Sequence, residues 1–380
     1  MNKLLVNILS FTLAILLVLG LLYFGKNQIL NYYAKPLQDS LERTISLQSD
    51  LESGKIIVFG SSELVLYPNQ KFLPQNYFNN ELKLPLRAQG NEGQQTFVIM
   101  SQLAACDNEA AREHARIVVL LSPSWFTGAY ENGLTMPKFL EYMYSGMMNK
   151  LYFQSDADDK YRNLISEYVQ KNLSLIKDPS FIYKYPLDTL EDNYLDNEIK
   201  KIIIQAFDNK DINPEVIKYK NPKLDYDSLK LEAKRVELSS TNNIYGINNE
   251  YYAQNVAEQV KKGNFPFGIM ILPDLNRNQE YQDFLVLLDL LKNYKNKPLF
   301  VMQDLHPYVF ANNREDANKL MLTIKSKVLE HDFEYLDMWT YNKEDYVMGT
   351  LTDIVHMGEL GWIKINQKII DFFMNEKENK

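Results

Sequence analysis

The hydrophobic pattern divides the chain into three regimes. From Leu4 to Phe24 there are 21 residues without a charge, and Asn7, Ser10 and Thr12 are the only clearly polar interruptions. About 20 apolar helical residues cross a bilayer core, so the run predicts a transmembrane helix over 1–24 with Tyr23 at the interface. It is longer than a signal-peptide core and no small-x-small cleavage site follows, which favours an uncleaved anchor. Lys3 precedes the span while Lys26 and Lys35 follow it, so positive-inside counting leaves the orientation open. Residues 25–54 are polar and mixed, with Pro36 among them, and read as a membrane-proximal stalk with helical pieces.

From residue 55 to about 375 short apolar runs alternate with helical spacing. "KIIVFG", "LKLPLRAQG", "RIVVLLSP", "FGIMIL", "KPLFVMQ" and "FEYLDM" read as strands, the second at an edge because Pro85 cannot donate to a ladder. "GQQTFVIMSQLAACDNEAAREHA", "QEYQDFLVLLDLLKNY", "NREDANKLMLTIKSKVLE" and "GWIKINQKIIDFFMNE" carry helical periodicity. Strand, helix, strand in this order predicts an α/β fold around a mostly parallel sheet with right-handed crossovers. The stretch of about 137–262 interrupts it and reads as a helical insertion. Its segments "PKFLEYMYSGMMNKLYF", "DDKYRNLISEYVQKNL", "EDNYLDNEIKKIIIQAF" and "DSLKLEAKRVEL" are joined by Asn, Asp and Pro. Met143, Met147 and Met148 within it are either core or the lining of an apolar groove.

Composition narrows the function. Of 380 residues 46% are hydrophobic, enough for one large domain, and the net charge is −8. An acidic chain lacks the electrostatic footprint for duplex nucleic acid. Cys106 is the single cysteine, so no internal disulfide forms, and its helical context reads as core.

Ligands bind at the carboxyl edge of a parallel sheet. Gly60-Ser61-Ser62-Glu63 directly follows the first strand, either as a capped turn or as hydroxyls presented at that edge. Four histidines are candidates for the base. His114 and His331 sit at helix ends, whereas His306 follows a strand and competes with His356, which lies three residues after Asp353. The Asp-x-x-His spacing lets a carboxylate orient an imidazole and leaves Nε2 free to take a hydroxyl proton. Gly90 and Gly93 in "QGNEGQQ" place backbone N–H groups ahead of a helix, where they could face a developing oxyanion.

The order of these features resembles the SGNH (GDSL-like) hydrolase superfamily, in which Gly-x-Ser opens the domain and Asp-x-x-His closes it. More narrowly, the chain is similar to the DltD family of D-alanyl-lipoteichoic acid biosynthesis. The likeness spans the anchor, "VFGSSEL", "QGNEGQQ", "SPSWF", "SSTNNIYGINNEYY" and "DIVHMGELGW". The resemblance implies a three-layer fold and a catalytic set of Ser62, Asp353 and His356. It also implies oxyanion or substrate contacts from Gly93, Gln94 and Trp125. The superfamily's Gly-x-Asn-Asp block has no counterpart, since "LLSPSWF" stands after the third strand. After His356 the family's His-Leu-Gly-Trp-Lys-Gly-Trp is replaced by "HMGELGW", with Met357 and Glu359 expected to change the site wall or the acceptor preference.

The implied activity is transfer of D-alanine to lipoteichoic acid through an acyl-Ser62 enzyme, with no metal or cofactor. The implied partners are a teichoic acid acceptor, the membrane-bound O-acyltransferase of the pathway and its small acyl-carrying peptide. The domain is then expected outside the cell with the N-terminus inside. A surface glycan or ester hydrolase is the enzymatic alternative, and a non-catalytic scaffold of an acyltransferase complex the alternative of another class.

Overall fold

Short runs of β-branched and other apolar residues become the interior strands because both of their faces are covered. The computed structural model describes residues 3–127, 133–172, 214–269 and 274–374. Its strands are β1 (Ile56–Gly60), β2 (Leu86–Gly90), β3 (Arg116–Leu121), β4 (Phe267–Gly268), β5 (Leu299–Met302), β6 (Phe310–Asn312) and β7 (Glu334–Asp337). Five of them form one parallel sheet in the order β2-β1-β3-β5-β7, with Ile56 beside both Leu86 and Arg116. β2 lies at the edge, immediately after Pro85, as the sequence predicts.

Side chains alternate between two apolar layers, as the strand period of two requires. Ile57, Phe59, Val119, Leu121, Phe300 and Met302 enter one core with the helices Thr96–Ala105 and Gln279–Leu291. Ile56, Val58, Leu120 and Val301 enter the other with the closing helix Glu359–Phe373. The architecture is therefore a three-layer α/β fold around a parallel sheet.

Three segments differ from the sequence expectation. The "FGIMIL" strand shrinks to β4, which pairs with β6 in a separate two-stranded sheet, and residues 270–273 lie outside the described residues. The helix expected over "GQQTFVIMSQLAACDNEAAREHA" is two helices, because the Asn108 side chain accepts the Ala111 N–H at 2.8 Å and caps a new start at Glu109. Residues 25–54 are not separate helical pieces: one helix runs from Lys3 to Glu52, through Pro36. Its last three turns bury Leu41, Ile45, Leu47 and Leu51 against the α/β body.

The 137–262 stretch contributes to both layers. Phe139, Met143, Met147 and Ile165 join the first core, so Met143 and Met147 are packing residues. The helix Tyr226–Leu238 lies against the closing helix on the other side of the sheet. The expected helix in "EDNYLDNEIKKIIIQAF" falls outside the described residues. Residues Val6–Gly25 have mean hydropathy 2.4 and no part buried; among the described residues, theirs is the one helix long and apolar enough to cross a membrane.

Candidate active site

The chain leaves β1 for β2 on one side and later reaches β3 on the other, which opens a crevice at the carboxyl end of β1. Close approach of the strand ends is needed there. Gly60 pairs with Gly90, and a Cβ on Gly90 would collide with the Gly60 carbonyl. Beyond them lies a cavity of ≈ 290 Å³ lined by loops that follow four strands. Ser61, Ser62 and Glu63 follow β1, Gly93 and Gln95 follow β2, Ser122, Ser124 and Trp125 follow β3, and Gln303 follows β5. Val355 and His356 close it from the turn before the last helix.

Ser62 begins a short 3₁₀ turn, so its N–H has no acceptor within that turn. Its Oγ lies 2.9 Å from His356 Nε2, and His356 Nδ1 lies 2.7 Å from Asp353 Oδ2. The two serines of "GSSE" are thereby separated. Ser61 is buried and its hydroxyl donates to the Asn91 carbonyl at 3.2 Å, whereas Ser62 meets the imidazole.

Asp353 is saturated with donors. Oδ1 accepts the Val355 and His356 backbone N–H groups at 2.8 Å each, and Oδ2 also accepts the Tyr67 hydroxyl at 2.8 Å. Burial pushes the Asp353 carboxyl up, but the hydrogen bond and charge of His356 and the two N–H groups outweigh it, leaving the pKa below the ordinary value. Burial likewise works to lower His356. The Asp353 hydrogen bond and charge, with Glu63 beyond, reverse that and leave it raised. The pair favours a tautomer with the proton on Nδ1 and a basic Nε2 facing Ser62.

The other expected residues fall in different places. Gly93 lines the cavity with φ +76°, a left-handed conformation suited to glycine. Trp125 lines it as well, almost fully buried. Gln94 is turned into the interior, its N–H donating to the Asn91 carbonyl at 3.1 Å, and Gln95 takes the place on the wall. His306 does not reach Ser62. It is buried with Nε2 2.7 Å from the Tyr245 carbonyl, burial lowers its pKa to about 4, and its N–H donates to the Ile354 carbonyl at 2.9 Å. Its part is to hold the turn carrying Asp353. His114 and His331 end helices, and burial pushes the Cys106 thiol up to about 12, far from a thiolate.

Met357 is core, and Glu359 accepts the Lys71 and Phe72 N–H groups at 2.8 Å each, so neither forms a wall of this cavity. Glu359 does border a neighbouring cleft of ≈ 330 Å³ together with Tyr67, Gln70, Glu237 and Thr352. Sequence reasoning missed Tyr67, Glu63, Gln303 and Glu237. Glu237 is a buried carboxylate that accepts the Thr352 hydroxyl and the Glu359 N–H and thus braces the Asp353 turn from behind, with burial pushing its pKa up to about 7. "SSTNNIYGINNEYY" supports the same turn: Asn248 N–H donates to the Thr352 carbonyl at 2.6 Å and Tyr245 holds His306.

Comparison with known proteins gives one family. A profile described as "DltD protein" matches residues 34–374, which includes the last turns of the first helix that pack on the body. Protein DltD of Staphylococcus aureus (strain NCTC 8325 / PS 47) is 23% identical over 283 residues, covering 69% of this chain and 67% of that protein. Protein DltD of Bacillus subtilis (strain 168) is 23% identical over 380 aligned residues, covering 90% of this chain and 89% of that protein.

Proposed function

We propose, from the premise that this chain belongs to the DltD protein family, that it acts in D-alanylation of teichoic acid as a serine acyltransferase. The observation that carries the reading is the continuous chain Ser62 Oγ, His356, Asp353, with contacts of 2.9 and 2.7 Å opening into a cavity. His356 Nε2 takes the Ser62 proton as Oγ bonds to the carbonyl carbon of an activated D-alanyl ester. The Ser62 and Gly93 N–H groups receive the negative charge on the carbonyl oxygen. Collapse expels the leaving group, which takes the proton from His356, and D-alanine remains esterified to Ser62. A teichoic acid hydroxyl then gives its proton to His356, attacks the acyl carbon and restores the Ser62 hydroxyl. Trp125 walls the acyl group.

Water at the second step would make the protein a hydrolase. Comparing acyl release to water with release to glycerol phosphate separates the two. The transferase reading expects the glycerol phosphate ester to dominate, and release to water alone would leave an esterase.

The same reading anchors the chain by the apolar helix around Val6–Gly25. The acceptor polymer lies outside the membrane, and its hydroxyl cannot reach Ser62 across about 30 Å of hydrocarbon. The N-terminus is then inside and residues 25–380 outside, beside the membrane-bound O-acyltransferase and its acyl-carrying peptide. Protease added to intact spheroplasts should digest the domain. Protection until lysis would remove teichoic acid as the acceptor.

A further inference from the structure

Glu63 is the one acidic residue among the described residues that line the Ser62 cavity. It is almost fully buried, beside the nucleophile, and its Oε1 accepts the Ser61 N–H at 2.7 Å. Gly60 leaves room for this carboxylate, since a Cβ there would collide with Oε1. Burial pushes the Glu63 carboxyl up, and the Ser61 and Glu63 N–H groups, the charge of His356 and the amide of Gln303, a buried residue of the same wall, work against that and ease its ionisation.

A buried carboxylate is a poor neighbour for a simple acyl transfer. Its charge opposes the oxyanion that forms on the substrate carbonyl, and its burial is offset by the charge of His356 only while that imidazole is protonated, which it is not when it acts as the base. Both objections vanish if the acyl group brings a cation. An α-amino acyl ester does, because its ammonium is attached to the carbon next to the carbonyl that Ser62 attacks. The Trp125 ring in the same wall adds a surface that favours cations.

We propose that Glu63 is the receptor for the α-ammonium of an aminoacyl ester, so that the cavity selects aminoacyl over simple acyl groups. The inference rests on the reading of Ser62 as the acylated nucleophile. Glu63 is the specificity-determining residue of that site, and the ammonium supplies a cation beside it while His356 is neutral.

The test uses the full chain in detergent and two thioesters of one thiol, D-alanyl and propionyl, which differ only in the ammonium. The wild type should release thiol faster from the alanyl compound. Glu63→Gln should lower kcat/KM for the alanyl thioester by about 10- to 100-fold, the scale of a lost charge-assisted hydrogen bond, and leave the propionyl rate equal or higher. Glu63→Asp should recover part of the preference. Glu92 is exposed but lies within electrostatic reach of His356, and Glu92→Gln should leave the ratio unchanged. Gln303→Leu leaves the Ser61 N–H bond intact but removes an amide that eases Glu63 ionisation, so it should narrow the ratio in the same sense, which keeps the test open if Glu63→Gln folds poorly. Equal losses on both thioesters in Glu63→Gln would make Glu63 a brace for the turn and overturn the proposal. A ratio that moves only in Glu92→Gln would overturn it as well. A wild type that releases neither acyl group would instead remove Ser62 as an acyl-enzyme nucleophile, and the proposal with it.

Discussion

Asp353→Asn is the substitution whose consequence the geometry dictates most closely. The carboxylate has about four lone-pair positions, and four donors occupy them: two backbone N–H groups on Oδ1, and the Nδ1 proton of His356 and the Tyr67 hydroxyl on Oδ2. An asparagine of the same shape has one acceptor oxygen and an amino group with two protons of its own. Backbone N–H groups cannot reorient, so the amide oxygen takes the Oδ1 side and the amino group faces His356 and Tyr67. The tyrosine hydroxyl can rotate to accept. The imidazole can accept only by moving its proton to Nε2, and Nε2 is the atom 2.9 Å from Ser62 Oγ. The base is then blocked while the fold keeps its shape. In a serine protease triad the corresponding change costs about 10⁴ in kcat, or about 5.5 kcal/mol at 1.36 kcal/mol per tenfold, and that is the size expected here. The assay is thiol release from a D-alanyl thioester by wild type and variant, with circular dichroism to verify folding. A folded Asp353→Asn that keeps activity within tenfold of wild type would refute the role assigned to the tautomer.

Two further predictions follow from the same site. The Asp353 pKa is held below 3.8 and that of His356 above 6.5. A depressed acid stabilises above its unfolded pKa and a raised histidine below its own, so the pair contributes fully between 3.8 and 6.5. That contribution fades below 3.8 as Asp353 is protonated, and above 6.5 as His356 loses its proton, so the Tm difference between wild type and His356→Gln should shrink as pH rises past neutrality. Turnover should climb over the same range, because only neutral His356 is a base; a Tm difference that grows there would contradict the pairing. Gly93→Ala puts a side chain at φ +76° and within 3.3 Å of Lys138 Cε, and should cost about 1–2 kcal/mol by thermal melting and slow turnover by shifting the Gly93 N–H. An unchanged rate at unchanged stability would remove Gly93 from the oxyanion site.

The parts of the molecule that were legible in the sequence are those specified locally. β1, β3 and β5 are buried on both faces, so each appears as an unbroken apolar run with a polar residue or glycine where it ends. Asp353 and His356 stand three positions apart, so their contact was legible for the same reason. Tyr67 reaches Asp353 from 286 positions away, and nothing near Tyr67 announces that partner. Gln303 reads only as the end of a strand. Its meaning comes from β5 lying next to β3, which brings it beside Glu63. The polar stretch of 25–54 hid the buried stripe of Leu41, Ile45, Leu47 and Leu51, because the body that covers the stripe is built by later residues. Pro36 suggested a break, yet the helix continues through it.

The most direct test of the central claim is the site of the acyl group. The purified chain is incubated with a D-alanyl thioester in the absence of an acceptor hydroxyl, quenched in acid, digested and examined by mass spectrometry. The proposed mechanism predicts one alanyl residue on Ser62, absent in Ser62→Ala and retained in Ser61→Ala, whose hydroxyl is committed to the Asn91 carbonyl. An adduct on Ser61, or one that survives in Ser62→Ala, would contradict it.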